Sequence, residues 1–117
     1  MRNLQEVFNI VWERAKIQEK AKSSDMFGTV DCAYRDDNGL PCFLGACISD
    51  EDYAPDMEGS GPSLLKENFE EEFNKSFGNV STHLLSVLQM THDYNSIEEW
   101  EGYLTTFAED NKLKIPK

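Results

Sequence analysis

The stretch YRDDNGLPCFLGACISDEDY, residues 34–53, decides how this chain is read. Two short apolar runs flank Asp36-Asp37-Asn38-Gly39, and Asn and Gly tolerate the positive φ that a tight hairpin turn demands. Upstream, TVDCAYR at residues 29–35 holds Thr, Val and Tyr, which suit a pleated surface. Downstream, Leu40 to Leu44 reads as the returning strand, with Pro41 confined to an edge because it has no N–H to donate. The expectation is one small β-hairpin, which is not stable alone and must lean on helices.

The helices follow from apolar spacing. Leu4, Val7, Phe8, Val11, Trp12 and Ala15 fall on one face of a helix over residues 3–21, with Asn3 and Glu6 placed as a capping box. Ile10 and Ile17 lie off that stripe. A second helix is expected over 63–77, capped by Ser63 and carrying Leu64, Leu65, Phe69, Phe73 and Phe77 inward. Gly78-Asn79 stops it, and residues 80–93 form a third helix with Leu84, Leu85 and Leu88 buried. Ser96-Ile97-Glu98-Glu99 opens a fourth to about residue 110, burying Ile97, Trp100, Leu104 and Phe107, with Asn111 as C-cap. The predicted fold is α+β: about four helices around one hairpin, in a single domain spanning 1–117.

The net charge of −11 is unevenly spread. Residues 1–22 are net +2, residues 23–111 are net −16, and the last six are net +3. Such a field repels phosphate, which argues against direct binding to nucleic acid or to an anionic membrane. It attracts basic protein surfaces, and it also serves plain solubility. No run of ~18 apolar residues spans a bilayer, and the N-terminal stretch is amphipathic rather than a secretory leader, so a cytoplasmic protein is expected. Three cysteines in that setting are expected to remain reduced, without a disulfide framework.

Chemistry-bearing residues are sparse. Four residues separate Cys42 from Cys47, Cys32 is isolated, and His83 and His92 are too far separated for the usual zinc spacings. Small buried thiols account for the cysteines, and acidic neighbours disfavour a reactive thiolate. His92 beside Asp93 reads either as an acid–base pair or as a helix-terminal histidine facing the last carbonyls. The run Asp50, Glu51, Asp52, Asp56, Glu58 fails the calcium-loop pattern, since Ala54 and Pro55 fall where a ligand and a glycine belong. Asp50 and Glu51 then cap a turn that Ser49 begins. No metal, cofactor or catalytic set is assigned.

One pattern is distinctive: Tyr34-Arg35, Gly39, Cys42, Gly45, Ile48, Asp50, Glu51, Tyr53 and Met57-Glu58-Gly59. It resembles a recurring arrangement in short uncharacterised proteins of bacteriophages and prophages, extending to the leading helix, His92-Asp93 and Glu99-Trp100. The resemblance implies an origin and no particular activity.

Three functions of different class follow. The first is a non-enzymatic binding protein, phage-encoded, that docks on a host protein with a basic surface and modulates or inhibits it. Its carboxylates would mimic a nucleic acid, for example against a defence factor, through Glu67, Glu70, Glu71, Glu72, Glu98, Glu99 and Glu101. The second is a small-ligand or enzymatic pocket beside the hairpin, lined by Tyr34, Arg35, Cys42, Asp50 and Tyr53. In it Arg35 serves as an anion hook, or else as a structural partner of Asp50 or Glu58. The third is a homo-oligomer joined through Ile10, Ile17 and Phe27.

Overall fold

Asn3 starts the first helix as its spacing to Glu6 predicts. Its side chain accepts the Glu6 N–H at 2.9 Å, and its own N–H donates to the Glu6 carboxylate at 3.0 Å. In the computed structural model, which describes residues 2–17, 34, 35 and 40–116, helix α1 runs Leu4–Ile17. Residues 18–21 of the predicted helix lie outside the described residues. Val7, Phe8, Val11 and Trp12 are buried, as the stripe requires.

Four more helices follow: α2 Pro62–Asn68, α3 Glu70–Phe77, α4 Thr82–Tyr94 and α5 Ile97–Asp110. Among the described residues between α1 and α2 there are two single 3-10 turns, Gly45–Cys47 and Pro55–Met57. Among the described residues the fold is all-helical and holds no strand.

The expected α+β architecture is therefore corrected. The turn Asp36–Gly39 and the strand residues before Tyr34 lie outside the described residues, but the return strand does not. Leu44 is helical, at φ −72° and ψ −36°, and the Ala46 N–H reaches back to the Cys42 carbonyl at 2.9 Å. Two physical reasons stand out. Cys42, Phe43 and Leu44 are all buried, whereas a half-covered strand alternates. The backbone donors of Tyr34 and Arg35, which a hairpin would have paired with this segment, are taken instead by the Glu58 carboxylate at 2.9 Å each.

The single helix expected over 63–77 is two. Phe69 breaks it at φ −133° and ψ 52°, while the Phe69 N–H to Leu65 and Phe73 N–H to Phe69 bonds, both 2.8 Å, keep the halves joined. The break lets α2 pack on α4 while α3 packs on α1, burying Leu65 in one direction and Phe73 and Phe77 in the other. Pro62 takes the first helical position after Gly61, so Ser63 is not the cap, and Leu64 is exposed rather than inward. Gly78 ends α3 at φ +57°, and a Cβ there would stand 2.0 Å from the Arg2 carbonyl oxygen.

The later helices match their signals. Ser81 caps α4 by accepting the His83 N–H at 3.1 Å. Ser96 donates both its N–H and its hydroxyl to Glu99 Oε1 at 3.0 Å each, and Asn111 closes α5. The core forms where α1, α4 and α5 meet the 42–48 segment. Phe8 stacks on Phe107 at 6.0 Å, and Phe43 meets Trp100 edge-on at 4.7 Å between ring centroids. Such aromatic pairs add about 0.5–1.5 kcal/mol each beyond their buried area.

Candidate functional site

The strongest polar cluster is built on Glu58 and Arg35. Glu58 follows the Pro55–Met57 turn, and its two oxygens accept the Tyr34 and Arg35 N–H groups in a fork. The Tyr53 hydroxyl donates to the same carboxylate at 2.6 Å. The Arg35 guanidinium donates to the carbonyls of Tyr34 (3.1 Å), Gly45 (2.6 Å) and Ile48 (2.7 Å), and to Asp50 Oδ1 at 3.2 Å. Its carbon also lies 5.1 Å from the centre of the Tyr53 ring. Gly45 is required here, because a Cβ would stand 2.2 Å from the Tyr34 carbonyl oxygen.

This arrangement binds the chain to itself. Three carbonyls and one carboxylate take up the Arg35 donors, so Arg35 acts as a clamp between the 34–35 segment and the 45–50 turn. Tyr34 is fully buried and donates to the Ser60 carbonyl at 2.5 Å; burial, with Glu58 and Asp93 adding, pushes its phenol well above the usual range. Tyr53 is pushed up to about 12 by desolvation first and then by its bond to Glu58. Neither phenol ionises at neutral pH, and neither offers a base. Glu58, the hub, was not assigned to the pocket by the sequence; it entered there in the acidic run, in Met57-Glu58-Gly59 and as an alternative partner of the Arg35 side chain, whereas the structure pairs it with the Tyr34 and Arg35 backbone and the Tyr53 hydroxyl.

The cysteines and histidines do not converge. Cys42 is disulfide-bonded, which corrects the expectation of reduced thiols at that position, and its sulfur accepts the Gly45 N–H at 3.3 Å. Cys47 is free and buried, and desolvation pushes its thiol up to about 12, so it is no nucleophile at neutral pH. Cys32 lies outside the described residues. His92 lies in the last turn of α4 and is fully buried. It stacks on Trp100 at 5.1 Å, meets Phe43 edge-on at 5.0 Å, and its Nδ1 lies 3.0 Å from Asp93. His83 is exposed. Among the described residues no three or more His, Cys, Asp or Glu side chains are grouped to hold a metal ion.

Two residues of the expected pocket do border open space. Arg35 and Asp50 meet Ile10 and Ile17 at an open groove of about 470 Å³. The sequence assigned these four to rival readings, and folding places them side by side; Tyr34 and Cys42 lie buried beneath, and Phe27 is outside the described residues.

The carboxylates face outward. Glu67, Glu70, Glu71, Glu98, Glu99 and Glu101 are exposed, while Glu72 is turned in with Oε2 buried beside Phe69, Phe73 and Ser76. None of the seven forms an ion pair among the described residues. The nearby cations are engaged elsewhere: Lys75 with Asp52 at 3.7 Å, and Lys66 over the Phe73 ring at 5.9 Å. Glu99 is held below the usual carboxylate range by the Ser96 N–H and hydroxyl.

No protein-family model, curated protein or solved structure matches the chain. Fold and site together describe, among the described residues, a helical protein with an internally satisfied polar cluster and exposed glutamates on α2, α3 and α5 that form no ion pair. No helix among the described residues is long and apolar enough to cross a membrane.

Proposed function

We propose that the chain is a non-enzymatic binding protein, phage-encoded and cytoplasmic, that docks on a basic surface of a host protein and inhibits or modulates it. The observation that carries this reading is the set of exposed glutamates without cationic partners on α2, α3 and α5, beside a polar cluster wholly spent on the fold. Unpaired surface carboxylates raise self-repulsion and speed encounter with a cationic partner.

Their density suits nucleic-acid mimicry. Helix α5 has 14 residues, so it is about 21 Å long. It carries five exposed carboxylates, Glu98, Glu99, Glu101, Glu109 and Asp110. That is one charge per ~4 Å of axis, against one phosphate per ~3.4 Å along a DNA strand. A groove shaped for a phosphate backbone meets comparable charge here without any sugar or base.

The test is capture by the tagged chain from bacterial lysate in steps of rising salt, run beside a variant with Glu67, Glu70, Glu71 and Glu101 changed to Gln. The expected result is one basic partner that the wild type holds at low salt and releases at high salt, and that the variant never holds. Unaltered circular dichroism and melting of the variant show that the fold is intact. A partner retained equally by both proteins refutes the reading.

A further inference from the structure

Helices α4 and α5, joined by Asn95 and Ser96, run from Thr82 to Asp110 without a single Lys or Arg. The same span holds six carboxylates, of which only Asp93 is turned inward, onto His92 at 3.0 Å. It also holds three of the six exposed large hydrophobic side chains among the described residues: Met90 at 54 %, Tyr94 at 65 % and Tyr103 at 49 % exposure. His83, Met90 and Tyr94 fall at i, i+7 and i+11, a row on the side of α4 opposite the buried Leu85, Leu88 and His92. Tyr94 ends α4 and Glu98 is the second residue of α5, so their Cα atoms lie within about 14 Å of one another. Glu101 is one turn further along.

A surface of this composition selects its occupant by charge. An anionic membrane is repelled, and a second copy of the same α4–α5 surface would bring carboxylates against carboxylates. Exposed Met and Tyr are the side chains that interfaces favour, Met because it repacks and Tyr because it offers a large, stiff contact area. A helix with Leu-type residues on one face and Lys or Arg beside them matches both the apolar row and the acids at its end.

We propose that the outward face of α4, with the adjoining first turns of α5, docks a basic amphipathic helix of a partner protein. Its apolar side chains sit on Met90 and Tyr94 and its cations reach Glu98 and Glu101. This rests on the acidic-surface reading above and names the kind of element that binds.

The test titrates the full chain into a dye-labelled Lys/Leu peptide of about 18 residues, with leucines at i, i+3, i+4 and i+7, and reads fluorescence anisotropy. A control peptide has the same composition with the helical period scrambled. The expected result is at least about tenfold tighter binding of the periodic peptide. Met90→Ser with Tyr94→Ser removes that preference, whereas Glu98→Gln with Glu101→Gln weakens both peptides. All four positions are exposed, and unchanged circular dichroism verifies each variant's fold. Equal binding of both peptides, untouched by M90S/Y94S but weakened by the Gln changes, overturns this inference and leaves the acidic-surface reading standing. No binding of either peptide at low ionic strength overturns it too; the salt-graded capture then decides the broader reading on its own. Self-association of the wild type that M90S/Y94S abolishes, without peptide binding, overturns it in favour of a second copy as the occupant.

Discussion

Replacing Glu58 with Ala should be among the most damaging single changes in the chain, although Glu58 lies in a turn and is only partly covered. The variant leaves the Tyr34 and Arg35 N–H groups and the Tyr53 hydroxyl without their acceptor. A donor that loses a charged acceptor costs about 1–3 kcal/mol, depending on how well water replaces it. Both backbone bonds are partly buried, so the lower half of that range applies to each, and the phenol can turn to solvent for about 1 kcal/mol. The expected loss is about 3 kcal/mol, read by urea denaturation followed by circular dichroism. At about 4 °C per kcal/mol for a domain of this size, Tm should fall by about 12 °C. Tyr53→Phe removes one of the three bonds and should cost about 1 kcal/mol. Glu58→Gln should fall between, because an amide keeps one acceptor but turns its NH2 toward the remaining donors. The reasoning is refuted if E58A stays within about 0.5 kcal/mol of wild type, or if Y53F costs as much as E58A.

Three further predictions concern glycine, thiol and pH behaviour. Gly45→Ala drives a Cβ to 2.2 Å from the Tyr34 carbonyl oxygen and should cost several kcal/mol, whereas Gly102→Ala, in open space on α5, should raise stability by about 1 kcal/mol; thermal melts of the pair check the contrast. Without reductant the intact mass should show a disulfide, and Cys47, its thiol pushed up to about 12, should resist maleimide labelling until denaturant is added. Tyr53 favours its neutral form in the fold, so its contribution is full below pH of about 10 and is lost as pH rises toward 12; a urea midpoint falling over that window in wild type, and falling less in Y53F, is the expected signature.

The candidate site residues divide along the same physical line as the fold. The acidic exterior was legible because glutamates on the polar side of a helix stay in water, with Glu72 as the exception that turns in beside Phe69 and Phe73. The clamp was only half legible. Arg35 stood out as a rare cation in an acidic span, and Asp50 was named as a partner, at 3.2 Å in the structure. That its other donors go to backbone carbonyls depends on where the 45–48 turn places them. The exposed Met90 and Tyr94 carry no sequence signal of their own, since an apolar residue on a helix shows its surroundings only when the neighbouring helices are in place.

What the sequence determined by itself is local. The Asn3–Glu6 and Ser96–Glu99 boxes, the stop at Gly78 and the Asn111 cap rest on contacts within about four residues, and the apolar rows of α1, α4 and α5 on helical spacing, both of which a linear pattern encodes. Tertiary structure alone decided the rest. The hairpin signal around Asn38-Gly39 failed for 40–44 because backbone donors take whichever acceptor the fold brings near. Here that acceptor is a carboxylate 23 or 24 residues away, on Glu58, and not a neighbouring strand. The break at Phe69 and the burial of His92 between Phe43 and Trp100 have the same origin: α2 and α3 must cover different partners, and an aromatic slot closes only when α4, α5 and the 42–48 turn meet.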